Sequence, residues 1–141
     1  MHQLLTDSAI WAALLGLASY FVRKLWEDNS INKAIGAEIE RLHTVIKRHR
    51  DFWQARVHDK TTGHHPLIPF SHVVYDKQVK NVGVINRRLV AQVVRFYGYV
   101  DYLNSFQALR GEYEAAGHTD KFNEMYIASL TALVDDFANV F

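Results

Sequence analysis

The chain has no cysteine. That excludes disulfides, thiol catalysis and cysteine-based zinc or iron–sulfur sites, and it leaves the redox compartment open. Proline is nearly absent. The only two, Pro66 and Pro69, lie three apart, so every other stretch is free to be helical. Excess charge of either sign is lacking too: 16 basic and 15 acidic side chains leave a net +1, so no global field demands nucleic acid. There is no strand-type alternation of useful length, no internal repeat and no low-complexity tract. The phosphate loops G-x-x-x-x-G-K-[ST] and G-x-G-x-x-G are missing, as are G-x-S-x-G, H-E-x-x-H and any readable carboxylate pair. These absences speak against an enzyme, and no cofactor is expected.

What is present is ordinary globular usage. Hydrophobic residues make up 49% and charged residues 22%, which disfavours disorder. The hydrophobic residues are not spread evenly. Residues 8–22 read S-A-I-W-A-A-L-L-G-L-A-S-Y-F-V without a charge, and Leu4 and Leu5 extend the run across Asp7. Residues 4–22 reach the roughly 17–20 residues a membrane span needs. The run is apolar on all faces, unlike a surface helix. Arg23 and Lys24 follow at once and can snorkel to a headgroup region, while Trp11 and Trp26 suit the two interfaces. Ala12, Gly16 and Ser19 form a small-residue face of the kind that lets membrane helices approach closely.

Only His2 and the α-amine precede the run, whereas Arg23, Lys24, Lys33 and Arg41 follow it. Positive-inside counting therefore places residues 27–141 in the cytoplasm, behind a single-pass anchor of residues 1–26 in an inner membrane. Two other readings stand beside this one. A cleaved signal peptide would need a basic start and an A-x-A-like exit, and neither is evident. A soluble protein could bury its first helix in a bundle or an oligomer.

The body reads as three helices and one loop. Ile31, Ile35, Ile39, Leu42, Ile46, His49 and Trp53 recur at spacings of four and three, a helical stripe reaching about Val57. The cap formers Asp28, Asn29 and Ser30 allow either a break or a continuous helix before it. Residues 58–71 contain Gly63, Pro66 and Pro69 and form a long loop. Its Leu67, Ile68 and Phe70 favour packing against the body. A short helix or turn is expected from near Val74 to Gly83. A long helix follows, capped by Asn86, striped by Leu89, Val93, Phe96, Val100, Leu103 and Phe106, and ending near Gly117. Gly98 in its interior suggests a close helix–helix contact. Thr119 is expected to cap a last helix whose stripe runs from Phe122 through Tyr126, Leu130 and Leu133 to Phe137. The expected fold is all-α: an N-terminal transmembrane helix, then an antiparallel three-helix body with a long proline-containing loop.

Three stretches carry a resemblance. Residues 34–42 read A-I-G-A-E-I-E-R-L, residues 74–76 with 82–85 read V-Y-D and V-G-V-I, and residues 93–97 read V-V-R-F-Y. Together with the apolar N-terminal run, they resemble a diffuse group of small proteobacterial membrane-anchored helical proteins of unknown function. Members more often have Leu-Gly-Leu-Leu where this chain has Val-Gly-Val-Ile. The likeness covers the middle of the chain and implies an architecture, with no activity attached.

Candidate sites are few. His58, His64, His65 and His72 gather around the proline loop with Asp59 and Asp76, residue types that suit zinc, nickel or copper. A surface loop that happens to be His-rich explains them as well, and any such cluster can respond to pH. Asn86, Arg87 and Arg88 open the long helix, with Arg95 on the same face, a possible cradle for a phosphate or nucleotide. Lys47, Arg48, Arg50, Arg56 and Lys60, with His43, His49 and His58, make the end of the first body helix basic, most simply as a solvated face. The tyrosines Tyr97, Tyr99 and Tyr102 exceed what one core needs and suit a protein interface. The leading expectation is a non-catalytic, membrane-tethered interaction and assembly module. Its partners would be the membrane and a second copy or a membrane protein, with no nucleic acid. The alternatives are a ligand-gated membrane sensor or effector for a small anion, and a soluble helical oligomer.

Overall fold

The computed structural model of the chain describes residues 2–58, 66–78 and 90–138, with side chains from residue 13 onward. Regular structure among the described residues is all helical: α1 (His2–His58), α2 (Val73–Gln78), α3 (Val90–Ala108), α4 (Arg110–Ala115) and α5 (Thr119–Asp136).

α1 is one helix of 57 residues, about 85 Å long at 1.5 Å per residue. The cap formers at 28–30 do not break it. Ser30 Oγ donates back to the Trp26 carbonyl at 2.9 Å, and Arg23 pairs with Glu27 one turn on at 3.0 Å, so the side chains there support the helix they were expected to interrupt. The helix has two zones. From Ile35 to Trp53 the expected stripe is buried. Residues 13–27 are exposed on every side.

That exposure bears on two expectations. Residues 13–22, the described half of the N-terminal run, are not buried in the chain's own bundle. Nor, among the described residues, is any helix long and apolar enough to cross a membrane, so a transmembrane element is not part of the described fold. The side chains of the first half of the run, including Trp11 and Ala12, lie outside the described residues.

The body also departs from the antiparallel arrangement. α5 runs antiparallel to its neighbours: His43 donates to the Val134 carbonyl at 3.0 Å, His49 meets the Tyr126 hydroxyl at 3.1 Å, and Arg95 meets Asp136 while Gln107 meets Tyr126. α1 and α3, however, run parallel, since Glu38 lies beside Tyr97 and Trp53 beside Arg110. The reason is the proline loop. Residues 66–78 travel back along α1 and do not turn tightly at its end. Trp53 Nε1 donates to the Pro66 carbonyl, Phe70 packs edge-on against His49, Arg41 donates to the Ser71 carbonyl, and Glu38 accepts from the amides of Val74 and Tyr75. The loop does pack down, as its apolar residues required: Phe70 is buried.

Smaller differences have local causes. The expected long helix divides at Leu109, whose amide bonds three residues back to Phe106 and tightens the turn. Gly117 is the C′ residue as expected, with φ +74. Its amide bonds to Glu114 and that of His118 to Tyr113, a complete Schellman closure. Thr119 begins α5, and His118 occupies the cap position with no side-chain bond.

One core serves the body, from Ile35 through Trp53, Phe96 and Leu103 to Leu130 and Phe137. Among the described residues, Glu38 is the one carboxylate inside it, 6% exposed. It sits three residues after Ile35 and four before Leu42, on the stripe itself. Its oxygens accept from Val74 N at 2.8 Å, Tyr75 N at 3.0 Å and Tyr97 Oη at 2.8 Å. The carboxylate thereby satisfies two orphan donors of the first turn of α2 and complements its dipole. Glu38→Ala is expected to cost roughly 2–3 kcal/mol in chemical denaturation, because three donors lose their acceptor. Glu40→Ala on the exposed face should stay within about 0.5 kcal/mol.

Candidate functional site

Three places in the body combine polar groups with shape. The first is the aromatic centre around His49. Its ring lies among Trp53, Phe70 and Tyr126 at centroid distances of 5.7–6.0 Å. The Tyr126 hydroxyl bonds His49 Nε2 and accepts from Gln107 Nε2 at 2.7 Å, and that amide also donates to the Ile68 carbonyl. Burial lowers the His49 pKa from 6.5 to about 4, since no acid faces the ring to offset the lost hydration. Burial likewise raises Tyr126. Every group here is occupied in joining α1, the returning segment, α3 and α5, and no opening leads to it among the described pockets. The site is structural.

The second place is an open groove of about 590 Å³ between α3 and α5. Gly98, Ala128, Ser129 and Ala132 make its floor, and Tyr99 and Tyr102 stand at its sides. Gly98 has nothing within 4 Å of where a Cβ would lie, so the expected close contact is not there; the glycine faces the groove. At one end Arg95 pairs with Asp136 at 3.2 Å and lies over the Phe137 ring, and Tyr99 Oη donates to the same carboxylate at 3.4 Å. The groove offers shape and aromatic surface, and no paired acid, base or nucleophile.

The third place surrounds His72. Its Nδ1 lies 2.9 Å from Asp76 and its Nε2 2.7 Å from Asp101. Tyr75 stacks on Tyr97 at 3.9 Å, and both present ring faces or edges to the imidazole. Burial raises the Tyr97 pKa, and its bond to Glu38 raises it further, so the phenol is neutral and donates.

The residues singled out from the sequence fall as follows. Asn86, Arg87, Arg88, His64 and His65 lie outside the described residues. Arg95 is described, and it is engaged with Asp136. His58 is exposed at the end of α1, and both nitrogens of His72 are taken by carboxylates. Among the described residues no group of three could hold a metal ion. The basic stretch of α1 is dispersed. His43 and His49 turn inward, Arg50 pairs with Asp51 at 3.0 Å, and Lys47 and Arg48 remain exposed. Sequence reasoning overlooked Glu38 and Asp101. Glu38 carried a signal, a charge at a stripe position. Asp101 carried none, since its partner is 29 residues away.

No protein-family model, no curated protein and no solved structure matches this chain.

The open setting of Gly98 has a measurable consequence. Gly98→Ala should stabilise the body by about 0.5–1 kcal/mol, because a helical glycine with free space beside it only loses backbone entropy. Thermal or chemical denaturation reads the shift. A loss of stability would mean that another surface already fills the groove.

Proposed function

We propose that the chain is a membrane-tethered helical interaction module, with the first zone of α1 as the tether and the bundle as the presented body, and with no chemistry of its own. The observation that carries this reading is the exposure of the tether. Leu14, Leu15, Leu17, Tyr20, Phe21, Val22, Leu25 and Trp26 are between 50% and 70% exposed, on the stretch of α1 that precedes the core. Each such side chain removed from water contributes roughly 1.5–3 kcal/mol, a large driving force for lipid.

The register sharpens the reading. At 100° per residue these large side chains occupy about two thirds of the helix circumference. Gly16, Ser19 and Arg23 fill the remaining third. Lipid suits the broad apolar arc, and a second helix suits the narrow small-residue face. Arg23 and Lys24 sit where an acidic headgroup layer on the cytoplasmic side would meet the helix. The core begins only at Ile31 and Ile35, so the tether adds nothing to the packing of the body.

Fractionation tests the proposal. The full chain should sediment with membranes, resist alkaline carbonate and dissolve in detergent, while residues 27–141 alone should fold and stay in the supernatant. Full-length protein that remains soluble without detergent, at high speed and as a monomer, would refute the tether. A separate test addresses assembly. Single cysteines at Gly16 and at Leu15, about 100° apart around the helix, report on different faces of a chain that has no other cysteine. Disulfide crosslinking is expected at Gly16 and weak at Leu15, and equal yields at both would reject a defined helix pair.

A further inference from the structure

His72 stands where the returning stretch becomes α2. Its carbonyl accepts the Asp76 amide at 3.1 Å, the bond that leads into the helix. Its ring does something different. Nδ1 points at the Asp76 carboxylate and Nε2 at the Asp101 carboxylate, at 2.9 and 2.7 Å. Ionised carboxylate oxygens can only accept, so both ring nitrogens carry hydrogen and the ring is an imidazolium. Two charge-assisted bonds therefore run from one ring to two helices, α2 and α3.

The groups around the ring come from three elements. α2 supplies Asp76 and Tyr75, and α3 supplies Asp101 and Tyr97. α1 supplies Glu38, bonded to Tyr97 and to the amides beside Tyr75, and Arg41, whose guanidinium donates to the Ser71 carbonyl at 3.0 Å. The His72 side chain is 13% exposed, whereas the two aspartates are 61–64% exposed. The cation is thus enclosed and its partners face water.

We propose that His72 is a proton-operated latch: protonated, it ties α2 to α3 through Asp76 and Asp101, and deprotonated, it lets α2 swing away from α3 while Glu38 still holds its first turn to α1. Loss of the proton leaves one ring nitrogen as a lone pair aimed at a carboxylate at hydrogen-bond distance, which is repulsive. The contact with Asp101 is the vulnerable one, because Asp76 travels with α2. Beyond it, α2 meets α3 through the Tyr75–Tyr97 stack, and Val74 and Tyr75 pack against the core.

The direction of the pH response follows. Burial lowers the affinity of His72 for its proton, but the hydrogen bonds and charges of Asp101 and Asp76 outweigh it, so the pKa lies above the usual 6.5. A folded pKa raised above the unfolded one means that the latch is fully present below pH 6.5 and is lost as pH rises through the raised value. The latch closes on the acid side and opens on the alkaline side.

Nuclear magnetic resonance on the full chain in detergent tests this. The His72 Cε1–H signal, assigned through the bonds of the isotope-labelled native chain, should titrate above 6.5. Asp101→Asn should lower that midpoint by about one unit or more. Cross-relaxation between the Tyr75 and Tyr97 rings, which stack at 3.9 Å, should fall several-fold as pH passes the midpoint in the native chain and stay level in His72→Gln. A His72 midpoint at or below 6.5 overturns the proposal. So does Tyr75–Tyr97 cross-relaxation that does not change through the midpoint. Both readouts exist in the native chain, so a variant that fails to fold leaves the test intact.

Discussion

The Glu38 carboxylate is the point on which the arrangement of this chain depends. A charge inside an apolar stripe is costly unless its oxygens are satisfied. Here three donors satisfy it, two amides of α2 and the hydroxyl of Tyr97 on α3. Those donors can reach it only if residues 66–78 have come back along α1 and if α3 starts at the same end as α2. The parallel relation of α1 and α3 is therefore tied to one acid. Asn104 reinforces the route from below: its side-chain amide accepts from the Phe70 amide and donates to the Phe70 carbonyl, pairing with the returning backbone as a neighbouring strand would.

The same helix carries two different surfaces. Below Ile31, α1 is a bundle helix with one buried stripe, flanked by α5 and the returning segment. Above it, the helix continues unaltered in backbone but loses its partners. Nothing in the local bonding marks the change, since Arg23–Glu27 and Ser30–Trp26 carry the helix across the junction. A continuous helix of this kind fixes the direction in which its first zone projects from the bundle.

The parts legible in the sequence were those set by local periodicity. The stripe from Ile35 to Trp53 and that from Phe122 to Phe137 are both buried as their spacing required. Gly117 closes its helix with the left-handed backbone that glycine favours. What could not be read was pairing at a distance. Whether a third helix lies parallel or antiparallel depends on where a loop goes, and Pro66 and Pro69 say only that the chain leaves the helix. Gly98 was misjudged for a related reason: a glycine in a striped helix signals a special position, and open space and close contact are both special. The histidines near the loop read as possible ligands on residue type, because composition shows residue types and not directions. Both nitrogens of His72 lie at hydrogen-bond distance from Asp76 and Asp101, and His64 and His65 lie outside the described residues.

Two histidines of the body, His49 and His72, answer protons in opposite senses, and the difference lies in their partners. His49 faces a neutral phenol and aromatic rings, so burial acts unopposed and holds its pKa near 4. The unfolded chain then binds a proton that the folded one refuses, and stability is lost as pH falls from about 6.5 toward 4. His72 faces two carboxylates, so its charge is retained in spite of burial, and its contribution is lost as pH rises. The aromatic centre is therefore weakened by acid and the α2 attachment by alkali. Because His49 joins α1 to α5 while His72 joins α2 to α3, the two changes act on separate seams of the bundle. Acid strains the core that defines the fold. Alkali loosens only the segment laid over it, and the bundle of α1, α3 and α5 keeps its buried contacts while α2 moves.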